Sequence, residues 1–247
     1  MLDRRPAPVP PALHPWVAEI TTTSISRGTH TVVELPDPAT TLTVRAEATG
    51  RRDVFVMGPR THAIATRGGP GPSCLQLRLH PGAAAPLAPL RGIVDDRVAL
   101  PAGDLAQALA TVDPGTVLDP GMIGLLEHVL ANGPPSSVVL VRDAAHLLAE
   151  GEAVHAVARK LGVSERQLRN LFDRLVGVSP KRFARLERVR VVLRDVRHRD
   201  LAGLAARAGY FDQSHMTTEF RRLVGVPPGA YAAGRRPLPT PCEALGS

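Results

Sequence analysis

The 247-residue chain is poor in cysteine, in aromatic residues and in lysine, and it has no long apolar run. Its two cysteines, Cys74 and Cys242, lie far apart in sequence, which excludes a disulfide framework and any Cys/His zinc spacing built on them. A reducing cytoplasm is the compartment that fits this usage. No stretch of 18 apolar residues occurs, so no membrane-spanning helix is expected. The N-terminus, MLDRRPAPVPPALHPW, lacks the apolar core of a signal peptide and is predicted to be a proline-rich tail over 1–16. Only Trp16 and Phe55 among the aromatic residues precede residue 138. That argues against a stacked carbohydrate site in the first half, although apolar pockets without aromatics exist.

What is abundant is arginine, 28 residues against two lysines, a usage that points to a GC-rich bacterial genome. The net charge of +7 is unevenly placed. Residues 1–135 carry 11 Arg and 12 Asp/Glu, whereas 136–247 carry 19 Lys/Arg and 11 Asp/Glu. The entire basic excess sits in the second half. A basic domain attracts polyanions through counterion release, without implying any base preference. A solvated basic surface would carry the same charge.

Between about 17 and 80 the pattern is that of short strands. Leu42, Val44 and Ala46 alternate with Thr43 and Arg45; Leu75, Leu77 and Leu79 alternate with Gln76, Arg78 and His80; Val54 and Val56 flank Phe55. Clusters of Gly and Pro at 36–38, 58–59 and 67–72 separate these runs, predicting a small antiparallel sheet or barrel. RGGPGP at 67–72 lacks the Lys and Ser/Thr of a phosphate loop and reads as a hairpin turn. His14, His30, His62 and His80 have no close i, i+2 or i, i+4 pair, so ordinary histidines are favoured over metal ligands. Cys74 is expected to be a buried, inert thiol. Helices are predicted at 103–111 and 121–131. The second has an apolar face that could pair with a second copy or pack on its own sheet.

Asn132-Gly-Pro-Pro-Ser-Ser137 is the strongest linker signal. Beyond it helices are predicted at 138–150, 154–161, 165–176, 180–196, 201–208, 213–224 and 228–233. Within them one pattern occurs twice, about 48 positions apart. Each copy has a small-residue helix, a glycine turn, a capped polar helix, then Phe-x-x-Leu-Val-Gly-Val-x-Pro (172–180 and 220–228). In the first copy Val154, Val157, Ala158 and Leu161 share a face, Gly162 turns the chain, and Ser164 with Gln167 makes a capping box. Leu168, Leu171, Phe172 and Leu175 face inward, leaving Arg166, Arg169, Asn170 and Arg174 outward. In the second copy Leu201, Leu204, Ala205 and Ala208 precede Gly209, with one extra turn residue, and Asp212 caps. Met216, Phe220, Leu223 and Val224 pack inward. Gln213, Ser214, His215 and Thr218 face out near the helix start, with Arg221 and Arg222 further along. Ser179 and Pro180 start a stiff connector. This is the expected layout of two helix-turn-helix units in one polypeptide, and outward donors of this kind suit base edges and phosphates in the major groove.

Gly209-Tyr-Phe-Asp-Gln-Ser-His215 and Phe220-Arg-Arg-Leu-Val-Gly-Val-Pro-Pro-Gly-Ala-Tyr231 resemble the AraC/XylS-type bacterial transcription regulators, over about 138–236. The resemblance implies two helix-turn-helix units joined by a long helix, with base contacts from Arg166, Arg169 and Asn170 and from Gln213, Ser214, His215 and Thr218. Asn170 and Thr218 stand where that family often has Arg. The first half is similar to the small cupin-like β-domains that precede this module, which sense effectors or mediate dimers.

The expected fold class is therefore α+β, an antiparallel cupin-like β-domain with helices followed by an all-α domain. The expected division is 1–132 for the first domain, 133–137 for a linker, 138–236 for the DNA-binding domain and 237–247 for a tail. The expected partner is double-stranded DNA, contacted by Arg166, Gln167, Arg169, Asn170, Arg174, Gln213, Ser214, His215, Thr218, Arg221 and Arg222. No catalytic residue, metal or cofactor is assigned, and no membrane association. A small-molecule effector, a protein partner and a homodimer stand open for the first domain. The competing class is a cupin-like metal enzyme fused to a DNA-tethering module. A methyl-accepting repair function is disfavoured, since neither cysteine has the neighbours of a reactive, metal-bound thiol.

Overall fold

The computed structural model describes residues 2–25, 30–47, 49–68, 73–115, 118–132, 135–198 and 200–237. Among the described residues eight strands come first: β1 (Leu2–Ala7), β2 (Val17–Ile25), β3 (His30–Glu34), β4 (Thr41–Ala46), β5 (Arg52–Met57), β6 (Ile64–Gly68), β7 (Ser73–Leu79) and β8 (Arg97–Ala99). Six form one antiparallel sheet in the order β1-β2-β7-β4-β5-β8, and β3 pairs with β6 in a second. The alternation along β4 and β7 places Leu42, Val44, Leu75, Leu77 and Leu79 in one apolar core. Helices α1 (Asp104–Leu109) and α2 (Pro120–Ala131) complete that core through Leu105, Leu109, Met122, Leu126 and Leu130. The apolar face of α2 is thus covered by its own domain.

Two expectations are corrected. The proline-rich start is not a tail: Leu2–Ala7 is an edge strand whose register pairs Leu2 with Ile25 and Ala7 with Ile20. Pro6 is tolerated because an edge strand needs ladder donors on one side only. The linker also ends early, because helix α3 begins at Pro135 and runs to Ala149. Proline fits a helix's first turn, where its missing N–H has no intrahelical role. Residues 69–72 of the turn expected at 67–72, Gly133 and Pro134 of the linker, and residues 238–247 with Cys242 lie outside the described residues.

Cys74 is half-buried on β7, and burial pushes its thiol up to about 11, so it is held protonated at neutral pH. No group of three or more His, Cys, Asp or Glu among the described residues is placed to hold a metal ion. His14 bonds to the Val9 carbonyl, His62 lies beside Asp95, and burial followed by the charges of Arg142 and Arg78 lowers the pKa of His80.

The helical part continues with α4 (Val154–Lys160), α5 (Glu165–Leu175), α6 (Pro180–Asp195), α7 (Leu201–Arg207), α8 (Gln213–Val224) and α9 (Pro228–Ala232). It has two cores. One joins α3, α4, α5 and the start of α6; the other joins the end of α6 with α7, α8 and Tyr231 of α9. Both receive side chains from the β-domain, Ala85 and Val94 in the first and Leu35 in the second. The turn at Gly177 shows how close the two parts lie. Its φ is +87°, and an added Cβ would come within 3.0 Å of the Leu90 carbonyl oxygen.

A buried carboxylate ties the sheet to α6. Arg78 on β7 donates two hydrogen bonds to Asp37, at 2.7 and 2.9 Å. Arg190 on α6 approaches the same carboxylate at 3.6 Å and bonds Glu187 at 2.9 Å. Burial alone would raise the Asp37 carboxyl, but Arg78, with Arg190 and Arg60, outweighs it and holds the group at about 2. A depressed folded pKa contributes stability that is present above the unfolded carboxylate range and lost as pH falls through the folded value. Asp37 should therefore contribute about 2 kcal/mol at neutral pH, lost between about pH 4 and pH 2. Denaturant unfolding of Asp37→Asn against the parent chain should show this: a deficit of that order at pH 7, narrowing as the pH approaches 2.

Candidate nucleic-acid interface

The first candidate unit is α4, a turn, and α5. Val157 and Ala158 are buried on α4, and Gly162 adopts φ +68° in the turn. The capping box forms as the spacing predicts. The Gln167 amide N–H donates to the Ser164 hydroxyl at 3.1 Å, and the Ser164 N–H donates to the Gln167 side-chain oxygen at 2.9 Å. Leu168, Phe172 and Leu175 are buried, so the opposite face carries Arg166, Gln167, Arg169, Asn170 and Arg174, all exposed. Gln167 thus has its carbonyl oxygen engaged in the cap and only its amide nitrogen open.

The second unit is α7, a turn at Gly209 with φ +73°, and α8. Asp212 caps α8 by accepting the His215 N–H at 2.7 Å. Gln213, Ser214, His215, Thr218, Arg221 and Arg222 are exposed. The His215 ring packs edge-on against Tyr210, with ring centroids 5.3 Å apart. Arg222, in the last turn of α8, faces a cleft shared with α6 and Thr61 of the β-domain.

Two residues of this region have roles that the repeat alone does not reveal. Phe211, in the extra turn position before α8, is 94% exposed, an apolar ring beside the helix start. Glu219 on α8 is 8% exposed and is the carboxylate that fastens α8 to α6. It accepts a hydrogen bond from Arg185 at 2.9 Å, lies 3.5 Å from Arg188, and accepts the Tyr210 hydroxyl at 3.1 Å. Burial and then the Glu219 charge push the Tyr210 phenol upward, so it remains a donor. Leu171 occupies the corresponding position of the first copy, so a carboxylate on an otherwise apolar stripe was the available signal.

Between the units α6 runs for 16 residues, about 24 Å at the α-helical rise. Ser179 caps it, and Phe183, Leu186, Val189 and Val192 are its buried stripe. The stripe spans both helical cores, so one rigid rod carries both units.

Two helix pairs, each with an exposed cationic or polar second helix, have the layout of helix-turn-helix units. Residues 157–234 match the family model described as a helix-turn-helix domain, so the chain carries a domain of that kind. No curated protein matches the chain. Among solved structures, an AraC-type transcriptional regulator from Chromobacterium violaceum is similar at 20% identity and a TM-score of 0.37, over 40% of this chain and 95% of that one. The DNA-binding domain of AdpA, solved with a target DNA, is similar at 27% identity and a TM-score of 0.36, over 40% of this chain and 90% of that one. ToxT from Vibrio cholerae, solved with a bound unsaturated fatty acid, is similar at 10% identity and a TM-score of 0.47, over 89% of this chain and 97% of that one. No helix among the described residues is long and apolar enough to cross a membrane.

Removing a buried partner from a charge cluster leaves the remaining charges uncompensated. Glu219→Ala should therefore cost roughly 3 kcal/mol in urea unfolding, because Arg185 and Tyr210 lose their acceptor and Arg188 its counter-charge.

Proposed function

We propose that this chain regulates transcription in a bacterial cytoplasm by seating α5 and α8 in successive major grooves on one face of double-stranded DNA. The observation that carries this reading is the pairing of two capped helices, each with an exposed polar face, on opposite ends of one continuous rod. Major grooves on one face recur about every 34 Å, and a rod of α6's length plus its end turns matches that scale. Two covalently joined readers gain affinity from high effective concentration.

The two faces are unequal. Arg166, Arg169 and Asn170 offer bidentate donors to guanine and adenine edges. Gln213, Ser214 and Thr218 offer shorter reach, and His215 is held against Tyr210. The first unit therefore supplies most of the base choice, while Arg174 and Arg221 serve phosphates. Phe211 is placed for contact with a thymine methyl or sugar beside the start of α8.

The β-domain is the regulatory half in this reading, by effector or by protein partner, as a monomer or with a second copy. Its support is contact rather than proximity: Asp37, Thr61 and Ala63 touch α6 or α8 directly. The reading assigns no catalytic step.

Footprinting on a selected genomic fragment should show protection over about two helical turns, roughly 20 base pairs. The affinity should fall steeply between about 50 and 200 mM salt. Arg169→Ala should weaken specific binding by about 1–3 kcal/mol, the worth of a bidentate base contact, and non-specific binding much less. Equal loss on both DNAs would remove base reading from α5.

A further inference from the structure

The start of α6, the last turn of α8 and Thr61 of the β-domain enclose a cleft of about 430 Å³. Lys181, Arg182, Arg185 and Arg222 line it, with the hydroxyl-bearing Thr61 and Ser179. Its apolar lining is limited to Leu186 and Leu223. Arg185 is paired with Glu219. Lys181, Arg182 and Arg222 have no carboxylate within ion-pair distance among the described residues. Arg182 instead donates to the Thr61 hydroxyl oxygen at 2.8 Å. The nearby acid, Asp95, accepts the Thr61 hydroxyl and amide and lies 3.4 Å from His62, which fixes Thr61 in place. On one side a backbone bond from the Ala63 N–H to the Leu223 carbonyl, at 2.7 Å, joins the β-domain to α8.

Lys181, Arg182 and Arg222 are solvent-exposed and converge on one half-open cleft with no carboxylate paired to them, and their mutual repulsion falls when an anion occupies it. Guanidinium forks and an ammonium favour oxygen anions, phosphate and carboxylate above all. The small, polar lining excludes a long aliphatic chain. The β-domain wall at Thr61 makes the space a cleft rather than a track along a duplex. We propose that this cleft is a binding site for a compact, multiply charged anion of the phosphate type, taken from solution. Bound there, the anion joins three elements and sets how α8 is held against α6 and the β-domain. That regulatory consequence rests on the DNA-reading function proposed above; anion binding itself does not.

The test uses the full chain without DNA. Sodium phosphate and pyrophosphate are titrated against sodium chloride at equal ionic strength, followed by thermal unfolding and calorimetry. The expected result is a saturable rise in Tm that is absent in chloride. Affinity should be about tenfold or more weaker in Lys181→Gln and in Arg222→Gln, each losing a charge-assisted bond. Arg159→Gln, an exposed cation on α4, should match the parent chain. Circular dichroism and the Tm without phosphate verify that the two exposed variants fold. No saturable rise beyond chloride, or equal loss in Arg159→Gln, overturns the site. So does an unresponsive free protein whose DNA binding both cleft variants weaken, because the cleft would then hold a DNA phosphate. A failed footprint with a positive phosphate titration would sink the DNA-reading proposal and leave the anion site standing.

Discussion

The position of α6 is the constraint on which the rest depends. It is a charged rod, and two buried carboxylates from different parts of the fold hold it. Glu219 on α8 gathers Arg185 and Arg188 from one side, and Asp37 from the β-domain draws Arg190 and Arg78 from another. An apolar stripe alone would leave α6 free to rotate or slide by small amounts, because dispersion and hydrophobic contacts are non-directional. The hydrogen bond from Arg185 to Glu219 and the ion pair of Arg190 with Asp37 restrict that freedom, since a buried charge tolerates little departure from its partners.

Both helix pairs are in contact with the β-domain, by different means. The first packs on α3 and the start of α6, receives Ala85 and Val94 from the β-domain, and pairs Asp173 with Arg91 at 2.9 Å. The second packs on the end of α6, receives Leu35 from the β-domain, and is bonded at Leu223 by Ala63. A change in the β-domain near Asp37, Thr61 or Ala63 would reach α8 without passing through α5. Coupling of this kind travels through packed and hydrogen-bonded groups that have few alternative arrangements. The two outward faces differ as well, the first carrying Arg166, Arg169 and Asn170 and the second Gln213, Ser214, His215 and Thr218.

Local signals in the sequence were legible where the physics is local. The capping box at Ser164 and Gln167, the caps at Ser179 and Asp212, and the turns at Gly162 and Gly209 all follow from spacings of a few residues, and the structure contains each of them. The alternation at Leu75, Leu77 and Leu79 likewise marks a strand with one buried face. The first strand was not legible, because six residues containing a proline carry no periodicity. Its existence depends on finding β2 as a partner. Glu219 was hidden for a related reason: only the arrival of Arg185, Arg188 and Tyr210 makes a buried carboxylate stable there. That the exposed Arg222 also borders a cleft depends on where the β-domain sits.

By itself the sequence determined the two helix pairs, their caps and turns, the stiff connector and the side chains that face outward, because helical periodicity and capping act within one or two turns of chain. Only the tertiary structure decided which charges are neutralised and which are left converging on open space. Asp37, Arg78, Glu187 and Arg190 come from three separate segments, as do Thr61, Arg182 and Arg222. Electrostatic energy depends on separation and burial in three dimensions, and neither can be read from sequence distance.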